Sequence, residues 1–134
     1  MSCVAIDGRA VLIEGESGAG KSDLALRLID RGAALVSDDY TLLQRDKREL
    51  IASAPDNIAG KIEVRGLGII TMEHAERVPV ALLVRLTDQP ERMPLTEDVR
   101  KIAGIDVREV EVDARSASAP IKVELALRHL IKSA

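Results

Sequence analysis

Residues 15–22 combine the residue types and the spacing of a phosphate-binding loop. They form the stretch Gly-Glu-Ser-Gly-Ala-Gly-Lys-Ser, which matches the pattern G-x-x-x-x-G-K-[ST]. The glycines allow backbone angles and close approaches that a side chain would prevent, so consecutive N–H groups can point into one concavity. Lys21 can then reach the β- and γ-phosphates of a nucleotide, while Ser22 offers a hydroxyl to Mg²⁺. The predicted ligands are ATP and Mg²⁺, and the predicted nucleotide-binding residues are Gly15, Glu16, Ser17, Gly18, Ala19, Gly20, Lys21 and Ser22.

Two adjacent carboxylates, Asp38 and Asp39, are the second group that could do chemistry. They follow the apolar run 33–36, which predicts a buried strand, and ligands of open α/β sheets bind at the carboxyl ends of strands. One carboxylate can help to order Mg²⁺, and its neighbour can accept a proton from an attacking hydroxyl. The alternative is that one of them only caps a turn through an Asx hydrogen bond. We favour the functional interpretation, because two like charges side by side are best accommodated near a cation.

The loop also has the structural context that separates a true site from a chance match, a strand before it and a helix after it. Residues 4–6 and 10–13 predict a hairpin whose second strand leads into the loop. Residues 21–31 predict a helix, because apolar residues recur there at helical spacing and Gly32 follows as a cap. We expect the apolar face of this helix to pack in the core.

The rest of the chain predicts mostly strands. The run 78–87 is the longest and is apolar on both sides, which favours a central strand. Residues 96–103 predict a helix, with Thr96 as its cap and Gly104 after its end. A slip in the alternation of residues 105–112 indicates a bulged strand. The other predicted elements are strands at 41–43, 50–52, 62–64 and 69–72, a charged turn at 44–49 and a helix from about 120 to 132.

These elements predict a single α/β domain over residues 1–134, with a P-loop-containing mixed β-sheet and few helices. A net charge of −3 and a single aromatic residue, Tyr40, argue against a nucleic-acid partner. The lone Cys3 excludes an intrachain disulfide and a cysteine cluster for zinc. Because nothing resembles a signal peptide or an apolar span of membrane length, we expect a cytoplasmic protein with no membrane partner.

Three motifs together resemble the HPr kinase/phosphorylase family. They are the P-loop, the stretch Leu-Val-Ser-Asp-Asp at 35–39 and the stretch Ile-Glu-Val-Arg-Gly-Leu-Gly-Ile-Ile at 62–70, and the last is the most specific. The resemblance covers most of the chain and implies the C-terminal catalytic domain of the family, as in its short forms. It implies a single P-loop kinase catalytic domain that uses ATP and Mg²⁺ to phosphorylate a serine of an HPr-type phosphocarrier of the phosphotransferase system. It also implies a homo-oligomer, since the family forms hexamers.

The resemblance also implies roles for individual residues. Lys21 would act on the phosphates, Asp39 would accept the proton, and Asp38 would support the metal side. Ser22 and Glu63 would hold Mg²⁺. The stretch around Arg92 matches the family motif only loosely. The alternative interpretation is that Arg92 is an exposed arginine without function. The implied catalytic residues are Lys21, Asp38, Asp39, Arg92 and Arg115.

The sequence departs from the family pattern in two places. The position of the family's catalytic histidine would fall just before Met1, and the loop at 112–118 keeps one of two arginines. We therefore expect the phosphorylase reaction to be slower than the kinase reaction. Two alternatives stay open at this stage. One is a small-molecule P-loop kinase, although such enzymes normally carry several arginines in a lid, and the other is a nucleotide-sensing regulatory module with weakened catalysis.

Overall fold

The structure is a computed structural model that describes residues 1–92 and 97–130. Within these ranges the chain forms one eight-stranded sheet, one two-stranded sheet and two α-helices. The elements in chain order are β1 (Ser2–Ile6), β2 (Arg9–Glu14), α1 (Lys21–Asp30), β3 (Ala34–Ser37), β4 (Leu42–Asp46), β5 (Glu49–Ser53), a 3₁₀ turn (Asp56–Ile58), β6 (Lys61–Val64), β7 (Gly68–Thr71), β8 (Val78–Leu86), β9 (Val99–Ile102), β10 (Ile105–Val112) and α2 (Ala119–Leu130).

The direction of the strands decides where the loops meet. The main sheet has the order β3-β1-β2-β8-β10-β9, and β8 is parallel to both β2 and β10. Strand β1 is antiparallel to both β2 and β3, so β3 runs in the same direction as β2. The carboxyl ends of β2, β3, β8 and β10 therefore lie at one edge of the sheet. This edge receives the P-loop, the two adjacent aspartates and the loops after β8 and β10.

Strand β8 is the centre of the sheet, as predicted. Besides β2 and β10 it pairs with β5 near its start, where Ile51 lies opposite Pro79. The side chains of Leu82, Leu83 and Val84 are fully buried, because both faces of the strand are covered. The mixed α/β fold predicted from the sequence is thus confirmed.

Two aliphatic cores cover the two faces of this sheet. Alternate residues of β2 point to opposite faces, so Val11 and Ile13 pack with the helices while Leu12 packs on the other side. On α1 the buried residues include Leu24 and Leu28, which confirms the predicted apolar face. Neither helix in the described part of the chain has the length and apolarity needed to span a bilayer.

The prediction of a helix at 96–103 is wrong. Residues Val99–Ile102 form β9, which pairs with β10 in antiparallel register. Ala103 and Gly104 both have positive φ, at 50° and 81°, which suits a tight hairpin turn rather than the end of a helix. Pairing with the edge of β10 satisfies the backbone of this stretch and outweighs its helical spacing of apolar residues. Thr96, the expected cap, lies outside the described residues.

Two smaller expectations also change. The described pairings of β10 contain no bulge, so that prediction is wrong. The slip in alternation coincides with a change of partner strand at Arg108: β10 pairs with β9 up to this residue and with β8 from it onward. The charged stretch 44–49 is mostly strand, with its turn at 47–48. The predicted C-terminal helix is confirmed as α2 through Leu130, and its expected end near Lys132 lies beyond the described part.

Candidate functional site

The phosphate-binding motif forms a tight loop between β2 and α1. Gly18 and Gly20 have φ values of 83° and 99°, a left-handed conformation that glycine adopts without strain. A Cβ on Gly15 would lie 3.2 Å from the Cβ of Leu86, so the loop is packed closely against the end of β8. The glycines at these positions thus serve the backbone geometry and the close approach that the motif predicts.

Lys21 lies over the loop that it follows. Its Nζ donates to the carbonyl oxygens of Gly15 at 2.8 Å and Glu16 at 3.2 Å. The same nitrogen is 3.9 Å from Oδ1 of Asp39, and the lysine side chain is only 12% exposed. The structure therefore brings the lysine of the P-loop and the second aspartate together.

Asp38 joins three elements through its carboxylate. Its Oδ1 accepts hydrogen bonds from Oγ of Ser22 at 2.6 Å and from Oγ of Ser2 at 3.2 Å. Its Oδ2 accepts a bond from the backbone N–H of Glu63 at 3.0 Å. These partners are between 16 and 36 residues away in sequence, so this carboxylate does not cap a local turn. Asp38 holds the first turn of α1, β1 and β6 in one place.

Asp39 has a different environment from its neighbour. Its φ is 67°, a left-handed conformation that is uncommon for a residue other than glycine, and its N–H donates to Oγ of Ser2. Its side chain is 57% exposed and is directed to the region beside Lys21. Residues held in such backbone conformations cluster at functional sites. The result is a carboxylate that faces both solvent and the lysine of the loop.

The residues around Asp38 fit a magnesium ion shared with a nucleotide. The hydroxyl of Ser22 and the carboxylate of Asp38 are hard oxygen donors in contact with each other. Glu63, on β6 of the two-stranded sheet, contacts Asp38 through its backbone N–H and carries an exposed carboxylate. Mg²⁺ is usually held by one or two carboxylates plus substrate phosphates and water, so it does not need a full protein cage. Among the described residues no group of three or more His, Cys, Asp or Glu side chains forms such a cage.

A cavity of about 680 Å³ opens on the other flank of the P-loop. Its walls are the loop itself, the end of β8 at Leu86 to Asp88, and the loop after β10 that carries Arg115. The guanidinium of Arg115 binds the carboxylate of Asp113 through two bonds, of 3.1 and 3.0 Å. These hydrogen bonds hold the pKa of Asp113 below its usual value.

Not every predicted residue joins this group. Arg92 is exposed, and neither the cavity walls nor any hydrogen bond among the described residues links it to the P-loop. Its catalytic role stays a prediction. Conversely, Thr87, Asp88 and Asp113 line the cavity beside the P-loop, and none of them was among the predicted site residues. The available signal was their position directly after strands that run parallel to the strand of the P-loop.

The fold and the site define a P-loop domain of the α/β class. The family model described as HPr Serine kinase C-terminal domain matches residues 1–132, and the chain therefore belongs to this family. It is 38% identical over 138 residues to the HPr kinase/phosphorylase of Bordetella avium (strain 197N), covering 92% of this chain and 45% of the relative. It is also 38% identical over 125 residues to the HPr kinase/phosphorylase of Geobacillus thermodenitrificans (strain NG80-2), covering 84% of this chain and 40% of the relative.

A solved structure agrees with this assignment. The Hpr(Ser) kinase/phosphatase from Coxiella burnetii superposes with a TM-score of 0.83 at 33% identity, covering 96% of this chain and 92% of that chain. The chain thus spans less than half the length of the curated relatives that it matches, but nearly all of the solved structure.

Proposed function

We propose that the protein is a Mg²⁺-dependent serine kinase that transfers the γ-phosphoryl group of ATP to an HPr-type phosphocarrier. The observation that carries the proposal is the meeting of Lys21, Ser22, Asp38 and Asp39 at one edge of the sheet. Residues 1–134 would form one P-loop kinase catalytic domain. The names of the relatives support a phosphocarrier as the partner, and the name of the solved structure supports serine as the acceptor.

The residues of the site divide the reaction between them. Lys21 would bind the terminal phosphates, and Ser22, Asp38 and Glu63 would hold Mg²⁺, which neutralises charge on the phosphate oxygens when bound. Asp39 would accept the proton of the serine hydroxyl as its oxygen attacks the γ-phosphorus. The bond from that phosphorus to the bridging oxygen then breaks, and ADP leaves. The free and exposed side of the Asp39 carboxylate leaves room for a protein substrate.

The proposal also includes a cytoplasmic location and a homo-oligomeric state. The cytoplasmic location follows from the use of ATP, because ATP is an intracellular substrate. Assembly into a homo-oligomer, a hexamer in the family, stays a prediction that sedimentation of the purified protein can test.

The test is incubation of the protein with labelled ATP, Mg²⁺ and the phosphocarrier of the same organism, followed by mapping of the phosphorylated residue. A phosphoserine is the expected product, and a carrier with that serine replaced by alanine is the control. Nucleotide binding without transfer would favour the regulatory module instead. Transfer to a small metabolite that competes with the carrier would favour the small-molecule kinase.

Glu63→Gln is expected to raise the Mg²⁺ concentration needed for half-maximal activity. A neutral amide oxygen is a weaker ligand for a hard cation than a carboxylate oxygen is. The measurement is the Mg²⁺ dependence of carrier phosphorylation, with Glu49→Gln on the exposed β4–β5 hairpin as a matched control. The contact between the Glu63 N–H and Asp38 involves the backbone, so the variant should keep it. An unchanged Mg²⁺ dependence would make Glu63 a structural residue.

Phosphorolysis of the phosphorylated carrier is expected to be slower than its phosphorylation. In that direction the site must hold inorganic phosphate and a phosphoserine together. Each missing cation therefore slows phosphorolysis more than it slows phosphorylation. The loop 112–118 contributes one arginine, Arg115, where the long members of the family have two. The measurement is release of pyrophosphate from phosphorylated carrier and phosphate. Equal rates in the two directions would show that the altered loop does not matter.

A further inference from the structure

We infer that the cavity beside the P-loop binds the nucleoside part of the nucleotide, and that the guanidinium of Arg115 forms the wall on which its base stacks. The inference rests on the proposed nucleotide site, and it assigns Arg115 to nucleoside binding in place of the catalytic role that the family resemblance implies.

The order of the strands sets the direction of the nucleotide. The P-loop follows β2, and Asp38 and Asp39 follow β3 on one side of it, whereas the cavity lies at the ends of β8 and β10 on the other side. The terminal phosphate must lie near Lys21 and Asp39 if it is to be transferred. The rest of the nucleotide then extends away from the aspartates. That direction leads into the cavity.

The cavity has the size and the walls that a nucleoside needs. Its volume of about 680 Å³ is within the range of small-molecule pockets. One wall is aliphatic, at Leu86 and Ala114, and the carboxylate of Asp88 can accept hydrogen bonds from the hydroxyl and amino groups of a nucleoside. The single aromatic residue of the chain, Tyr40, lines a different cavity near Met1. The planar groups among the lining residues are the guanidinium groups of Arg85 and Arg115. Arg115 is the more exposed of the two, at 75% against 43%, so we assign the stacking wall to Arg115.

The plane of this guanidinium is held in place by the adjacent aspartate. Besides the two side-chain bonds, the N–H of Arg115 donates to Oδ1 of Asp113 at 2.9 Å. The pKa of Arg115 is raised, first by its hydrogen bond with Asp113 and also by the charge of Asp88 across the cavity. The arginine side chain is 75% exposed, so its outer face is accessible to a ligand.

The loop that carries Arg115 is tied to the P-loop helix. Arg27 of α1 donates to the carbonyl oxygens of Ala114 and Ser116, the residues on either side of Arg115, the second at 3.2 Å. A Cβ on Gly20 would lie 3.2 Å from the Cβ of Ala114, so the two loops are also in close contact. Arg27 is thus a positioning residue that sets the distance between the phosphate site and the stacking wall.

The experiment compares two ligands that share their phosphates. Binding of ATP and of inorganic tripolyphosphate is measured by titration calorimetry in the presence of Mg²⁺. The proteins are the wild type, Arg115→Ala, Arg115→Lys and the control Arg48→Ala, which changes an exposed arginine in the β4–β5 turn. Stacking of a cation on a ring predicts that Arg115→Ala weakens ATP binding about 5- to 30-fold. Tripolyphosphate binding should change by no more than about twofold, as for an ordinary surface substitution.

The lysine variant separates stacking from charge. It keeps the positive charge but lacks the planar group, so it should lose most of the same ATP affinity and also spare tripolyphosphate. Equal losses for both ligands would place Arg115 on the phosphates, and unchanged ATP affinity in Arg115→Ala would remove it from the site; either result overturns the inference. Failure of the wild type to bind either ligand would overturn the proposed nucleotide site itself, and the inference with it.

Discussion

Replacing Lys21 with alanine is expected to abolish measurable phosphoryl transfer while the protein stays folded. The ammonium group lies over the P-loop, where it contacts the carbonyl oxygens of Gly15 and Glu16 and is 3.9 Å from Asp39. In the bound state it would stabilise the charge that develops on the transferred group, and removal of one such electrostatic contact typically costs about 10²–10³ in rate. The fold should tolerate the change, because these contacts lie at the edge of the sheet and not in either aliphatic core.

The measurement is the rate of carrier phosphorylation together with the thermal unfolding midpoint. Lys101→Ala is a matched control, because that lysine is 70% exposed on β9 and its ion pair with Asp106 lies away from the loop. Unchanged turnover of Lys21→Ala would contradict the assignment of the nucleotide site. A large fall in the unfolding midpoint would instead show that the lysine is needed for folding.

Asp39→Asn is expected to reduce phosphorylation of the carrier by about 10²–10⁴, the usual cost of removing a general base. The amide of asparagine cannot accept the proton of the serine hydroxyl. Asparagine also tolerates the left-handed backbone that this position requires, where φ is 67°, so the loss should be chemical and not structural. Excess Mg²⁺ should not restore the rate.

Asp38→Asn is the companion variant and should behave differently. Asp38 accepts hydrogen bonds from Ser22, Ser2 and the N–H of Glu63, so it is expected to act on the metal side of the site. Its rate loss should be smaller and partly rescued by added Mg²⁺. Because an asparagine presents an NH₂ group where Asp38 has a second acceptor, some loss of stability is also expected.

The comparison uses the rate at several Mg²⁺ concentrations and the unfolding midpoint of each variant. Equal losses that Mg²⁺ restores in both variants would show that neither carboxylate is the base. A larger loss in Asp38→Asn that Mg²⁺ does not restore would exchange the two roles.

The amino-acid sequence by itself determined the features that local chemistry encodes. The glycines, the lysine and the serine of residues 15–22 specify the loop, because its conformation depends on φ angles that glycine adopts without strain and on contacts within a few residues. Hydrophobic spacing was enough for α1 and for the central strand β8, since each buries a long, regular apolar pattern. The aspartates at 38 and 39 were placed at the end of a strand for the same reason.

Only the tertiary structure decided the features that depend on distant partners. Residues Val99–Ile102 have helical spacing, yet they form a strand because the open edge of β10 offers backbone hydrogen bonds that no local pattern records. Asp38 accepts hydrogen bonds from residues up to 36 positions away. The loop that carries Arg115 is held by Arg27, which donates to carbonyl oxygens 87 and 89 residues further along the chain. Such contacts depend on strand order and direction, which local preferences do not specify. For this reason the motif could be predicted from the sequence, whereas the cavity beside it could not.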